Sequence, residues 1–160
     1  MKNLLCALAA MILLTGCVTP EQIDRPPTAR IFNAPKDKVW PQLVAQVGLL
    51  YPVKAIEKES GLITTEFVSL PAGYNNVNQT QWILSPEGFL TTWDGLRMNL
   101  SILANEVEPG KTQVTIHTHF EAFENNVSKS WIVCQSNGSL ENQILDKVAS
   151  GLVSVEVKTP

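Results

Sequence analysis

The sequence predicts an α+β domain in which an antiparallel sheet of four to five strands is covered by an N-terminal helix and a long C-terminal helix. Three patterns support this prediction: a helical spacing of apolar residues over 36–50, a two-residue alternation over 96–122, and a second helical spacing that begins after Ser139. With 160 residues, 44% of them hydrophobic and 17% charged, the chain has the composition of a single folded domain.

The first predicted element is a helix over residues 36–50. Apolar residues recur every four positions along it, at Val39, Leu43 and Val47, and therefore share one face. Pro41 lacks the amide that would bond to the carbonyl four residues earlier. We therefore expect either a kink at Pro41 or a helix that becomes regular only after it.

Two hairpins are predicted after this helix. Residues 53–59 and 62–68 flank the tight turn at Ser60-Gly61, and Ile63, Thr65 and Phe67 alternate along the second strand. Residues 96–105 and 114–122 alternate between apolar and polar side chains on either side of the Pro109-Gly110 turn, which predicts a second and longer hairpin.

The segment between the hairpins and the segment after them complete the prediction. Residues 69–80 contain Pro, Gly and three Asn without a period, which indicates a long exposed loop, and a short strand is expected at 82–84. Ser139 can cap a final helix of about 13–15 residues. Its apolar stripe falls at every fourth position: Leu140, Ile144, Val148 and Leu152.

The N-terminus has the features of an export signal. Lys2 precedes an uncharged apolar run over residues 4–14, which is shorter than the roughly 20 residues of a membrane span. The sequence Leu14-Thr15-Gly16-Cys17 that follows resembles the lipobox of bacterial lipoproteins. The alternative is an ordinary signal peptide with a cysteine nearby by chance.

The lipobox resemblance implies cleavage before Cys17 and acylation of that cysteine. It divides the chain into a signal peptide (1–16), a lipidated and proline-rich tether (17–30) and one α+β domain (31–157). Val18 stands where an Asp would retain an enterobacterial lipoprotein in the inner membrane. The resemblance therefore implies lipid anchoring at the periplasmic face of the outer membrane.

Two short segments of the predicted domain resemble known families. Residues 33–40, Asn-Ala-Pro-Lys-Asp-Lys-Val-Trp, resemble the start of START-type and BamC-like domains, where a Pro-led helix carries a Val-Trp pair. Residues 59–65, Glu-Ser-Gly-Leu-Ile-Thr-Thr, resemble the Gly-x-Ile-x-Thr strand of BamC-like lipoproteins. This resemblance implies a helix-grip-like arrangement of the sheet and helices.

One set of residues could ligate a metal. His117, His119 and Glu121 alternate along a predicted strand and therefore share a face. That face is the one predicted to be solvated, so exposed histidines without a ligand are the stronger expectation. A hydrolase built around the two histidines is a weaker alternative.

The sequence contains few other motifs that indicate catalysis or cofactor binding. The sequence contains no glycine-rich phosphate loop and no Gly-x-Ser-x-Gly or His-Glu-x-x-His motif, so we expect no enzyme activity and no cofactor. A formal charge of −3 argues against a nucleic-acid partner. Cys134 lies in an apolar segment without an adjacent base and is expected to be a buried small hydrophobe rather than a reactive thiol.

The sequence therefore favours a non-enzymatic accessory or scaffold lipoprotein that binds another envelope protein, through the loop 69–80 or a helix face. The alternative is binding or carriage of a hydrophobic ligand in a cavity between the sheet and the C-terminal helix. The side chains expected to line such a cavity are Leu140, Ile144, Val148, Ile102, Ile116 and Phe120.

Overall fold

The computed structural model describes residues 28–70, 82–84, 93–125 and 128–156. These ranges contain eight strands and two helices. In chain order the elements are β1 (Ala29–Phe32), α1 (Lys36–Leu50), β2 (Val53–Glu57), β3 (Leu62–Thr65), β4 (Val68–Leu70), β5 (Ile83–Leu84), β6 (Trp93–Glu108), β7 (Lys111–Glu124), β8 (Ser130–Ser136) and α2 (Ser139–Glu156).

The hairpin of β6 and β7 forms the centre of the sheet. These two strands pair from Trp93 opposite Glu124 to Glu108 opposite Lys111, and each is long enough to take two shorter strands on its free edge. β3 and β4 pair with successive parts of β6, and β1 and β8 pair with successive parts of β7. β2 and β5 extend the sheet outward, so that its main path is β2-β3-β6-β7-β8-β5.

Both helices pack on the same face of this sheet. Their buried residues meet the alternate residues of β6 and β7, and α1 also contacts α2. Because successive strand residues point to opposite faces, only every second residue of each strand enters this core. Its largest fully buried apolar side chains include Phe120, Leu43, Ile63, Met98, Leu100, Ile102, Ile116 and Leu145.

The predicted fold class is wrong. Within the described ranges the sheet has eight strands rather than four to five, and strands dominate over the two helices, which have 15 and 18 residues. The sequence prediction missed β1, β4 and β8. β1 and β4 have only four and three residues, too few to show an alternation of their own. β8 has seven, but residues 131–134 are all apolar, so it shows a continuous apolar run rather than an alternation.

Several individual elements are confirmed. α1 spans Lys36–Leu50 as predicted. It is already helical before Pro41, so the expectation of a helix that becomes regular only after this proline is wrong. The turn at Gly61 joins β2 and β3, and the turn at Gly110 joins β6 and β7, although the longer hairpin extends beyond its predicted ends. α2 begins at Ser139 and runs to Glu156, a few residues further than predicted. The prediction that Ser139 caps this helix is wrong: Ser139 is its first residue, and the Asn137 side chain accepts a hydrogen bond from the Ser139 amide.

Other predictions concern parts of the chain outside the described residues. These are the signal peptide, the acylated Cys17, most of the tether, and residues 71–80 of the predicted loop. Ser69 and Leu70, at the start of that loop prediction, belong to β4. No helix among the described residues is both long enough and apolar enough to cross a membrane.

Candidate functional site

The second face of the sheet carries no helix within the described ranges, and we call it the open face. It is formed by the residues of β6 and β7 that alternate with the core residues, together with their partners on neighbouring strands. Five large apolar side chains on this face are exposed although such residues are normally buried. They are Ile31, Phe67, Leu103, Trp131 and Val133.

Arg97 on β6 connects three of the strands on this face. Its guanidinium carbon lies 4.7 Å from the ring centre of Phe67 and 4.2 Å from that of Trp131, so the charge lies against both aromatic rings. Arg97 Nε also donates a hydrogen bond of 2.5 Å to Oε2 of Glu121, directly across on β7. Each cation–π contact at an exposed site contributes about 0.5–1 kcal/mol.

Glu121 holds a second partner. Its Oε1 lies 3.0 Å from Nε2 of His119, whose ring makes an edge contact with Phe67 at 5.9 Å between ring centres. The hydrogen bond from His119, followed by that from Arg97, lowers the pKa of the Glu121 carboxyl below its usual value, against the opposing effect of desolvation. The carboxylate is therefore ionised at neutral pH and fixes both neighbouring side chains.

The aromatic part of the cluster continues onto β8. Phe123 and Trp131 lie opposite each other on β7 and β8, with ring centres 5.4 Å apart in an edge arrangement. Gly95 faces the same indole, and a Cβ at that position would lie 3.4 Å from its edge. Phe67, Arg97, His119, Glu121, Phe123 and Trp131 together form one connected patch, which we call the Arg97 cluster.

The three predicted metal-ligand candidates lie on the open face, but they are not arranged as a metal site. His117 and His119 are exposed, and both oxygens of Glu121 are engaged by Arg97 and His119. Among the described residues, no group of three or more His, Cys, Asp or Glu side chains is placed to hold a metal ion. The structure brings His119 and Glu121 together, without His117.

The six side chains expected to line a ligand cavity are packed in the core. Each of them is at most 4% exposed, and all belong to one continuous cluster of buried residues: Leu140, Ile144, Val148, Ile102, Ile116 and Phe120. A cleft of about 480 Å³ lies elsewhere, between the first half of α1, the end of β1 and the second half of α2. None of the six side chains lines this cleft.

Cys134 is buried, as predicted. It faces the core from β8 opposite Phe120, and it is 5% exposed. Burial raises the pKa of the Cys134 thiol, against the opposing effect of a hydrogen bond from the backbone of Ala122. The thiol is therefore protonated at neutral pH, and it packs as a small apolar side chain.

Sequence reasoning missed Phe67, Arg97 and Trp131 as members of a site. They are 30 and 34 residues apart along the chain, and their contact depends on the register that places Arg97 opposite Glu121 and Trp131 opposite Phe123. A usable signal was present in β6, where Arg97 stands on the polar side of an alternating strand.

Comparison of the chain with models of known protein families found no match, and comparison with curated proteins found none either.

Proposed function

We propose that the chain is a lipid-anchored envelope lipoprotein that binds another protein, without catalysis, on the periplasmic side of the outer membrane. The open face is the binding surface in this proposal. The lipobox-like sequence that ends at Cys17 supports the anchor, and the exposed apolar side chains around the Arg97 cluster support the binding role.

The single observation that carries the binding role is the exposure of apolar side chains on a sheet face that has no covering helix in the described ranges. Phe67 is 43% exposed, Trp131 38% and Val133 63%. Phe67 and Trp131 both contact Arg97, so they are grouped, and grouped exposed apolar side chains mark an interaction site more often than single ones do. The patch also has the composition of interface centres, where aromatic residues and arginine are enriched.

The side chains of the Arg97 cluster are already held in place without a bound partner. Association orders flexible side chains at a cost of about 0.5–1.5 kcal/mol for each one. Arg97 is already held by Glu121 and by two rings, and Trp131 is already held by Phe123 and Arg97. Because little further ordering is needed, more of the contact energy remains as affinity.

The length of the proposed tether allows the open face to reach a partner in the periplasm. The described chain begins at Thr28, whose carbonyl accepts a hydrogen bond from the amide of Ile116 in the middle of β7. The ten residues from 18 to 27 reach at most about 35 Å when fully extended. An anchored domain could therefore meet both membrane-bound and soluble partners.

Site-specific photo-crosslinking in cells tests the binding surface. A benzophenone side chain at Val133 on the open face is compared with one at Gln143, an exposed position on α2. We expect protein adducts from position 133 and few from position 143, and loss of the adducts when Trp131 is replaced by Asp. An adduct with twice the mass of the chain would identify a second copy as the partner.

Equal adducts from positions 133 and 143, or none from either, would contradict the proposed surface. The anchor is tested separately by incorporation of labelled palmitate into the wild-type chain and into Cys17→Ser. We expect incorporation only when Cys17 is present. Labelling that persists in Cys17→Ser would contradict the lipoprotein assignment without bearing on the open face.

A further inference from the structure

The cleft between the two helices and β1 is a second surface feature, separate from the open face. Its volume of about 480 Å³ is within the range of about 300–1,000 Å³ that is usual for small-molecule sites. Six of its lining residues are apolar and come from three different elements and the segment between β1 and α1: Phe32, Ala34, Pro41, Ala149, Leu152 and Val153.

Small side chains leave room for the cleft. Ala34, between β1 and α1, and Ala149 on α2 both line it, and longer side chains at these positions would fill it. At Gly151 the helices approach so closely that a Cβ would overlap the side chain of Gln42. α1 and α2 are therefore in tight contact at Gly151, while the alanines leave the neighbouring space open.

The rim of the cleft carries one cation that has no ion pair among the described residues. Asp37 and Lys38 both line the cleft, but the Asp37 carboxylate is already paired with Lys58, with 2.7 Å between Oδ1 and Nζ. Lys38 is exposed and forms no ion pair with any residue that the structure describes. The amides of Asn33 and Gln42 add hydrogen-bond donors at the same site.

We propose that this cleft binds an anionic amphiphile: an acyl chain lies against the apolar residues, and its acidic head group meets Lys38. The pairing of Asp37 with Lys58 leaves the positive charge of Lys38 uncompensated, and this selects an anionic head group over a cationic one. The acyl chain comes either from a free fatty acid or from an acidic membrane lipid, and the two share this chemistry.

Photolabelling of the full lipidated chain in phosphatidylcholine vesicles tests the proposal. The probes are palmitate, phosphatidylglycerol and phosphatidylcholine, each with a photoactivatable diazirine in the acyl chain, and the labelled residues are located by mass spectrometry. We expect label within residues 32–42 and 149–153 from palmitate, from phosphatidylglycerol or from both, which identifies the source of the chain. Phosphatidylcholine should label these residues less.

Two variants with matched controls separate the cleft from general partition into the membrane. Ala149→Phe fills the cleft and should reduce its label to background, whereas Ala45→Phe adds the same ring at an exposed position of α1 and should not. Lys38→Glu reverses the rim charge at an exposed site and should reduce labelling about two- to five-fold, as expected for one solvent-exposed ion pair. Lys54→Glu makes the same charge change at an exposed position of β2 and should leave the labelling of the cleft unchanged.

The proposal is overturned if the cleft residues are not labelled in the wild-type chain, or if Ala149→Phe and Ala45→Phe are labelled alike. It is also overturned if phosphatidylcholine labels the cleft as strongly as the acidic probes do, or if Lys38→Glu has no more effect than Lys54→Glu. Circular dichroism of each variant establishes that it is folded. None of these outcomes bears on the open face, so the protein-binding proposal is tested independently by the crosslinking experiment.

Discussion

Replacement of Gly61 by Ala should destabilise the domain far more than the same replacement at Gly110. Both glycines are turn residues with a positive φ, of 76° and 77°. A Cβ on Gly110 meets nothing within 4 Å. A Cβ on Gly61 would overlap the carbonyl oxygen of Ala104 and lie 3.0 Å from its carbonyl carbon, so that backbone would have to move.

The structure gives a magnitude for each change. Gly110→Ala should cost about 1–2 kcal/mol, which is the penalty for an L residue in the left-handed region. Gly61→Ala carries the same penalty together with about 1–3 kcal/mol for overpacking. It also weakens the hydrogen bond of 2.9 Å from the Ala104 amide to the Gly61 carbonyl, which contributes about 1 kcal/mol. Gly61→Ala should therefore be about 2–4 kcal/mol more destabilising than Gly110→Ala.

Urea unfolding followed by tryptophan fluorescence measures this difference. With a slope of about 2 kcal/mol per molar urea, the middle of the usual range, the two midpoints should differ by roughly 1–2 M, with similar slopes. The wild-type chain is the common reference, and Gly110→Ala is the matched control for the backbone penalty. If the two variants unfold within about 0.5 kcal/mol of each other, β3 does not approach β6 as closely at Gly61 as the structure shows.

Three further outcomes are expected. His119 and Arg97 lower the pKa of Glu121, so this carboxylate stabilises the fold above its unfolded pKa of about 4.3. The stabilisation is lost as the pH falls through the lower folded pKa. In urea unfolding between pH 7 and 3, Glu121→Gln should therefore make the free energy of unfolding depend less on pH. Phe120→Ala should cost about 3–5 kcal/mol, because Phe120 is fully buried, and unchanged stability would contradict its place in the core. The buried thiol of Cys134 should react with a thiol reagent only after urea is added; in a chain with both Cys6→Ser and Cys17→Ser, where Cys134 is the one remaining thiol, fast reaction of the folded protein would contradict its burial.

The sequence by itself determined the elements that have a strong period of their own. The apolar stripes of Val39, Leu43 and Val47 and of Leu140, Ile144 and Val148 are repeated every four residues, and they predicted α1 and the start of α2. The alternation along β6 and β7 predicted the long hairpin and placed His117, His119 and Glu121 on one face. These signals are local, because the period of an element depends only on its own residues.

Only the tertiary structure decided how many strands join the sheet and which side chains meet on it. β1, β4 and β8 are specified by the free edges of β6 and β7, since their backbone groups need partners that the long strands supply. The same pairing brings Arg97 to Glu121 and Trp131, and the packing of α2 against α1 places the cleft beside Ala149 rather than beside Phe120. Register and packing act between segments far apart in the chain, so no local pattern contains them.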